Sequence, residues 1–64
     1  MEEIEIFDTY NEAYEYLEKY AKDNGIKDYA IVEDSYEIKN GLLFIEYDKN
    51  EVEISHYPLV QYRR

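Results

Sequence analysis

The order of apolar and polar residues predicts a strand at the start of the chain and a helix directly after it. Residues 3–7 begin with alternating acidic and apolar side chains, which is the period of a half-buried strand. Thr9 and Glu12 have the spacing of a capping box, in which each side chain satisfies a free backbone N–H group. Apolar residues then recur every three or four positions and predict a helix over Tyr10–Asn24. Gly25 suits the left-handed position that ends such a helix.

Two turn signals divide the second half of the chain into strands. Residues 29–32 and 36–39 form either one long strand or two short ones. Asn40-Gly41 is the strongest short hairpin signal, because a two-residue type I′ turn needs positive φ at both positions. Lys49-Asn50 is predicted to be the loop of a second hairpin. The two registers agree and place one set of side chains in the core, namely Tyr36, Ile38, Leu43, Ile45, Tyr47, Val52 and Ile54.

The predicted fold class is α+β. We expect residues 1–64 to form a single small domain, β-α-β-β-β, in which one helix packs on one face of a mostly antiparallel sheet. Residues 58–64 are a candidate C-terminal tail, because no Asp or Glu follows Glu53 and the chain ends in two arginines. The alternative for the arginines is a cationic arm that contacts the acidic body or a second copy of the chain.

The other face of the predicted sheet is the candidate binding surface. It combines apolar side chains with a rim of carboxylates, as protein interfaces combine an apolar core with a polar rim. Its residues are Glu37, Leu42, Phe44, Glu46, Glu53 and Tyr57. The predicted register sets Glu46 directly opposite Glu53, and like charges so placed destabilise a sheet. Tyr16 lies off the apolar stripe of the helix and is a further candidate contact residue.

Three occupants of that face are compatible with the sequence. The C-terminal segment 58–62 can fold across it and bury its apolar residues. A second copy of the chain can pair with it and form a homodimer. A different protein can bind to it, using the carboxylate rim for recognition.

Charge decides which partners are plausible. The chain has 16 Asp and Glu against 7 Lys and Arg, a net charge of −9 on 64 residues, and it has nine tyrosines. An anionic surface repels phosphate backbones and anionic lipid, so direct binding to nucleic acid or to a membrane is not expected. A protein with a basic surface is the expected partner. Tyrosine is enriched at recognition surfaces because it gives rigid contact area with a polar tip.

The sequence offers no catalytic or cofactor motif. His56 is the single histidine and falls on the predicted core face, so we expect a structural role rather than general base catalysis. Residues 48–51 offer oxygen ligands but lack the glycine and the terminal glutamate of a calcium loop. We therefore expect no metal, no cofactor and no enzyme activity. The absence of cysteine, of a signal peptide and of any apolar run near roughly 18 residues is typical of a cytoplasmic protein.

The predicted function is that of a small acidic, non-enzymatic binding protein. It would inhibit or regulate a protein that handles nucleic acid by occupying its basic surface, as a nucleic-acid mimic. In size, charge and tyrosine content the chain resembles the small acidic inhibitors that phages make against host nucleases and CRISPR effectors. This resemblance is one of composition, and it implies no individual site residue. The alternative function is a homo-oligomeric assembly module that uses the exposed apolar sheet face.

Overall fold

A computed structural model describes residues 4–34, 39–55 and 58–63 of the chain. Within them, one helix packs against one face of a five-stranded sheet, which confirms the predicted α+β class. The elements in chain order are β1 (Glu5–Phe7), α1 (Tyr10–Asp23), β2 (Tyr29–Asp34), β3 (Gly41–Tyr47), β4 (Glu53–Ser55) and β5 (Leu59–Tyr62). The described residues thus hold one more strand than predicted, because β4 is followed by the separate strand β5.

Both ends of helix α1 are fixed by the residues that the sequence indicated. At the start, the Thr9 side-chain oxygen accepts a hydrogen bond from the Glu12 backbone N–H at 3.2 Å. At the end, Gly25 has φ 67° and donates to the Lys22 carbonyl, while the next N–H, of Ile26, donates to the Ala21 carbonyl. These two bonds form a Schellman motif, which satisfies carbonyls that the helix end leaves without a partner.

Strand β3 is the centre of the sheet. Strand β3 pairs with β2 along one edge. Along the other edge, β5 pairs with the first half of β3 and β4 pairs with its second half. These pairings are antiparallel, whereas β1 runs parallel to β5. The predicted C-terminal tail is therefore wrong for residues 59–62, which form an internal strand with Val60 only 1% exposed. The same strand does not fold across a sheet face, because it belongs to the sheet.

The first predicted hairpin is wrong. Asp34 pairs with Gly41, so residues 35–40 connect β2 to β3 in place of a two-residue turn. Asn40 does have a positive φ of 57°, but its carbonyl accepts a hydrogen bond from the N–H of Tyr62 in β5. Gly41 is already a strand residue. The predicted core residues Tyr36 and Ile38 lie outside the described residues, as does His56.

The second hairpin forms with a longer loop than predicted. The Asp48 side chain accepts hydrogen bonds from the backbone N–H groups of Asn50 at 2.8 Å and Val52 at 2.9 Å. Glu51 has φ 63°, so residues 49–51 form a three-residue loop with its last residue left-handed. The extra residue shifts the register, and Tyr47 pairs with Glu53 rather than with Val52.

The structure reverses the predicted assignment of the two sheet faces. Helix α1 covers the face that holds Leu42 and Phe44, which are 1% and 0% exposed. The buried core consists of Ala13, Leu17, Ala21, Leu42, Phe44 and Val60. Strand β3 is apolar at four successive positions, 42–45, so its own pattern does not decide which face is buried. Val60 of β5 and Ile31 of β2 are the cross-strand neighbours that join Leu42 and Phe44 on the helix side.

The Asp48 turn gives a first prediction. Replacing Asp48 with Ala removes the acceptor of two backbone N–H groups, and we expect it to lower the free energy of unfolding by about 1–2 kcal/mol. Urea unfolding followed by circular dichroism measures this change. Asp48→Asn keeps one acceptor oxygen and should lose clearly less. Equal stability of Asp48→Ala and the parent would show that the turn is held by other contacts.

Candidate functional site

The structure separates the residues that were predicted to form one binding surface. Glu37 and Tyr57 lie outside the described residues. Leu42 and Phe44 are core residues under helix α1, so their prediction as an exposed contact surface is wrong. A partner cannot reach either side chain in the folded domain. The remaining predicted contact residues have side chains that are at least partly accessible, namely Tyr16, Glu46 and Glu53.

The predicted opposition of two glutamates is also wrong. Glu46 pairs with Ser55 on one side and with Tyr29 on the other, while Glu53 pairs with Tyr47. The extra residue in the loop before Glu53 has moved it out of register with Glu46, and a bulge beyond it then pairs Glu46 with Ser55. Glu46 is half-buried and Glu53 is exposed. The two carboxylates therefore do not form the like-charge pair that the sequence register implied.

The observed register instead places strand carboxylates on the side of the sheet that the helix covers. Glu5, Glu33 and Glu46 each pair directly with a residue that belongs to the core or packs against it, and directly paired residues share a face. Their partners are Val60, Leu42 and Tyr29. Glu5 and Glu33 are exposed, so they stand at the margin of the helix rather than beneath it.

The outer surface of helix α1 adds carboxylates to the same side of the molecule. Glu12, Glu15 and Glu18 are all exposed and follow one another at intervals of three residues. We call these carboxylates and those of the strands the acidic side, which consists of Glu5, Glu12, Glu15, Glu18, Glu33 and Glu46. The helix also carries two lysines, and Lys19 donates to the Asp23 carboxylate at 2.9 Å. This hydrogen bond and the charge of Asp23 raise the pKa of Lys19.

Arg63 connects the end of the chain to the body of the domain. Its guanidinium lies 3.6 Å from the carboxylate of Asp8, and its backbone N–H donates to the Phe7 carbonyl. Arg63 therefore contacts the acidic body of the domain, which is one of the two contacts considered for a cationic arm. Arg64 lies outside the described residues.

Tyr16 occupies the flank of helix α1. Its ring centroid lies 5.0 Å from that of Phe7, and the residue is 39% exposed. A shallow depression of about 310 Å³ lies beside it, lined by Tyr16, Lys19, Tyr20, Asp23 and Asn24. An aromatic ring held on one side and open on the other is suited to contact a partner side chain with little loss of its own freedom. Tyr16 is the one predicted contact residue that lies on the helix beside the acidic side.

The second face of the sheet is largely apolar, and three of its residues were predicted to lie in the core, namely Leu43, Ile45 and Tyr47. We call it the open face, because no described element packs on it. Its uncharged members with a side chain are Ile6, Ala30, Val32, Leu43, Ile45, Tyr47, Leu59 and Gln61. Glu53 shares the face, because it pairs directly with Tyr47. Of the uncharged members, Ile6 and Val32 are 52% and 38% exposed. The side-chain amide of Gln61 donates to the Lys39 carbonyl at 3.1 Å.

Comparison with protein-family models, with curated proteins and with solved structures finds no match to this chain. The described part of the chain contains no helix with the length and apolar character needed to cross a bilayer. Over the same residues, no group of three His, Cys, Asp or Glu side chains is placed to share a metal ion. Function therefore has to be inferred from the acidic side and the open face.

Proposed function

We propose that this chain is a small non-enzymatic binding domain, acting in the cytoplasm, whose acidic side occupies a basic surface of a partner protein. The observation that carries the proposal is the strand register, which places Glu5, Glu33 and Glu46 on the same side of the sheet as the exposed carboxylates of helix α1. Six carboxylates thereby lie on one side of the molecule. A cluster of like charges attracts and orients a partner of opposite charge before contact is made.

The spacing of the helical carboxylates supports a partner that handles nucleic acid. Glu12, Glu15 and Glu18 advance by about 4.5 Å per step along the helix axis. One strand of duplex DNA presents a phosphate about every 3.4 Å along its axis. A surface built to neutralise phosphates with Lys and Arg would therefore meet negative charges at a similar interval. Such a domain acts as an inhibitor, because it competes with nucleic acid for the same cations.

Tyr16 supplies the apolar anchor that a purely ionic contact lacks. Surface ion pairs contribute only about 0–1 kcal/mol each and weaken as salt is added. A rigid aromatic side chain next to the carboxylates adds contact area that salt does not screen. The depression beside Tyr16 has room for one partner side chain, and Asp23 at its edge is an acceptor for an arginine or lysine. Charge then governs the rate of association, and the tyrosine governs how long the complex lasts.

Charge reversal on the helix tests the proposal. We expect Glu15→Lys combined with Glu18→Lys to reduce capture of basic proteins from a nuclease-treated lysate by at least about tenfold at 0.05 M sodium chloride, because several charge pairs become repulsive. Capture by the parent should fall steeply between about 0.05 and 0.5 M salt. Added duplex DNA should release the captured proteins, since both ligands use the same cations. Quantitative mass spectrometry of the bound fraction measures all three effects.

A charge-matched control separates position from net charge. Asp28 and Glu51 are exposed and lie near the end of the sheet where β3 meets the Asp48 turn. Asp28→Lys with Glu51→Lys changes the net charge by the same amount and should leave most of the capture intact. If both double variants lose capture equally, overall charge and not the acidic side is responsible. If capture by the parent is insensitive to salt and to DNA, the proposed function is wrong.

A further inference from the structure

We propose that the outer edge of strand β2 binds an extended segment of the basic partner as an additional antiparallel strand. This inference rests on the proposed function, because it specifies how a protein with a basic surface is held. Strand β2 ends the sheet on one side, and no described residue pairs with its outer edge. Addition of an extended peptide to an open sheet edge is a recurring mode of protein recognition.

The hydrogen bonds between β2 and β3 identify the backbone groups that face outward. The Tyr47 backbone N–H donates to the Asp28 carbonyl at 2.9 Å, so these two residues continue the ladder as a hydrogen-bonded pair. In an antiparallel ladder such pairs alternate with pairs whose backbone groups point away from each other. Alternate residues of β2 therefore direct their N–H and C=O groups to the outer edge, namely Tyr29, Ile31 and Glu33. Each of them offers an added strand one donor and one acceptor.

The sequence of β2 does little to protect this edge. Open edges are commonly protected by proline, by lysine, by a bulge or by shortness of the strand. Strand β2 has six residues, contains neither proline nor lysine, and pairs with β3 without a register shift. Strand β1, at the other end of the sheet, has only three residues. The edge of β2 is thus the better template for a further strand.

Charge selects a basic segment as the occupant. A residue that pairs directly with Glu33 lies on the same face of the sheet, with its Cβ atom about 5 Å away. Glu33 is exposed, so a lysine or arginine at that position forms a cross-strand pair of opposite charge. Glu46, which pairs with Tyr29, lies one strand farther from the edge on the same face. A second copy would instead bring another net charge of −9 to this edge.

Helix α1 adds a carboxylate on the same side. The Tyr16 ring contacts Phe7 of β1, so this flank of the helix is turned toward β1. Glu18 comes two residues later and lies about 200° farther around the helix, on the flank turned toward β2. An added strand therefore has carboxylates of Glu18 and Glu33 on one of its sides. The occupant that fits is an extended segment with basic residues at alternate positions.

Peptides that differ only in the position of N-methyl groups test the proposal. The probe is a fluorescent octapeptide of alternating lysine and valine, and anisotropy measures its binding to the purified protein. If the lysines pair with Tyr29, Ile31 and Glu33, their N–H groups face β2, whereas the N–H groups of the valines face away. N-methylation of the lysines should then raise the dissociation constant at least about tenfold, and N-methylation of the valines should change it less than about twofold.

The two methylated peptides have the same charge and composition, so each is the control for the other. Equal affinity of the two would show that charge alone holds the peptide, and it would overturn the proposal. Absence of binding by the unmodified octapeptide at about 1 mM, a concentration that detects even weak association, would overturn it as well.

Hydrogen exchange at single amides locates the contact on the protein. In the free protein the N–H groups of Tyr29, Ile31 and Glu33 should exchange faster than those of Ala30 and Val32, which face β3. The octapeptide should slow the first set at least about tenfold and leave the second set unchanged. Slow exchange of the first set in the free protein that is lost on dilution would show that a second copy occupies the edge, and it would overturn the proposal.

Charge variants complete the test and keep it separate from that of the proposed function. Glu33→Lys should weaken binding of the octapeptide at least about fivefold, because the cross-strand pair becomes repulsive. Glu51→Lys makes the same change of net charge in the Asp48 turn and should leave binding nearly unchanged. Equal weakening by both variants would overturn the proposal. If partner capture from the lysate is sensitive to salt and DNA but the methylated peptides bind equally, strand addition alone is refuted. Capture that is insensitive to salt and DNA refutes the proposed function.

Discussion

Phe44→Ala is expected to cause a large loss of stability. The Phe44 side chain is fully buried, its ring centroid lies 5.2 Å from that of Tyr20 and 5.0 Å from that of Tyr29, and it is the largest fully buried side chain among the described residues. Replacing a buried phenylalanine with alanine costs about 3–5 kcal/mol. A domain of this length has a total stability of roughly 3–10 kcal/mol, at the usual 0.05–0.15 kcal/mol per residue. The substitution therefore removes a large share of the stability, or all of it.

Urea unfolding of the Phe44→Ala variant, followed by far-ultraviolet circular dichroism, measures this loss. Tyr16→Ala is the matched control, since it also truncates an aromatic ring, but one that has a single aromatic neighbour and a partly exposed position. We expect it to cost roughly 1 kcal/mol, the value of an aromatic pair outside the core. A Phe44→Ala protein as stable as the Tyr16→Ala protein would contradict the face assignment of the sheet.

Removal of residues 59–64 is expected to abolish cooperative folding. Strand β5 lies between β3 and β1, so its loss leaves β1 without its observed pairing partner and removes Val60 from the core. The remaining sheet would expose Leu42, which directly faces Val60 across the strands. A small domain has no reserve of buried surface to compensate for such a loss.

Thermal melting of two truncated chains checks this expectation. A chain that ends at Tyr62 loses the contact of Arg63 with Asp8 and one backbone hydrogen bond, but it keeps β5. It should still melt cooperatively, within a few degrees of the parent, because an exposed ion pair contributes at most about 1 kcal/mol. A cooperative melt of the chain that lacks residues 59–64 would show that β5 is dispensable.

The helix was predictable because its signals are local. Thr9 and Gly25 act on backbone groups within four residues of themselves, and the structure places both at the expected ends of α1. The apolar stripe of the helix likewise depends only on a period of 3.6 residues. Its buried members, Ala13, Leu17 and Ala21, follow that period.

The sheet was predicted less well, because its register depends on partners that are distant in sequence. Asn40-Gly41 is a strong local turn signal, yet the Asn40 carbonyl bonds to Tyr62, far along the chain. Strand β3 is apolar on both of its faces, so its pattern permits the helix to cover either one. The cross-strand residues Ile31 and Val60 resolve this ambiguity, and their places follow only from the complete sheet.

The candidate site could be predicted from the sequence only in part, for the same reason. The excess of acid and the surface position of Tyr16 follow from composition and helical period, so both could be predicted. Which carboxylates share a side could not, since the answer changes with every shift of register. Glu53 shows this well, because one extra residue in the loop before it separates it from Glu46.

The parallel pairing of β1 with β5 also determines when the protein can fold during its synthesis. Glu5 and Val60 are paired although nearly the whole described chain separates them, and closing so long a loop is entropically costly. At about 5–20 residues per second, a ribosome needs roughly 2–8 s to proceed from the end of α1 to the end of β5. During that interval Leu17 has no complete core to enter. The nascent chain is therefore a substrate for chaperones or aggregation until β5 is made.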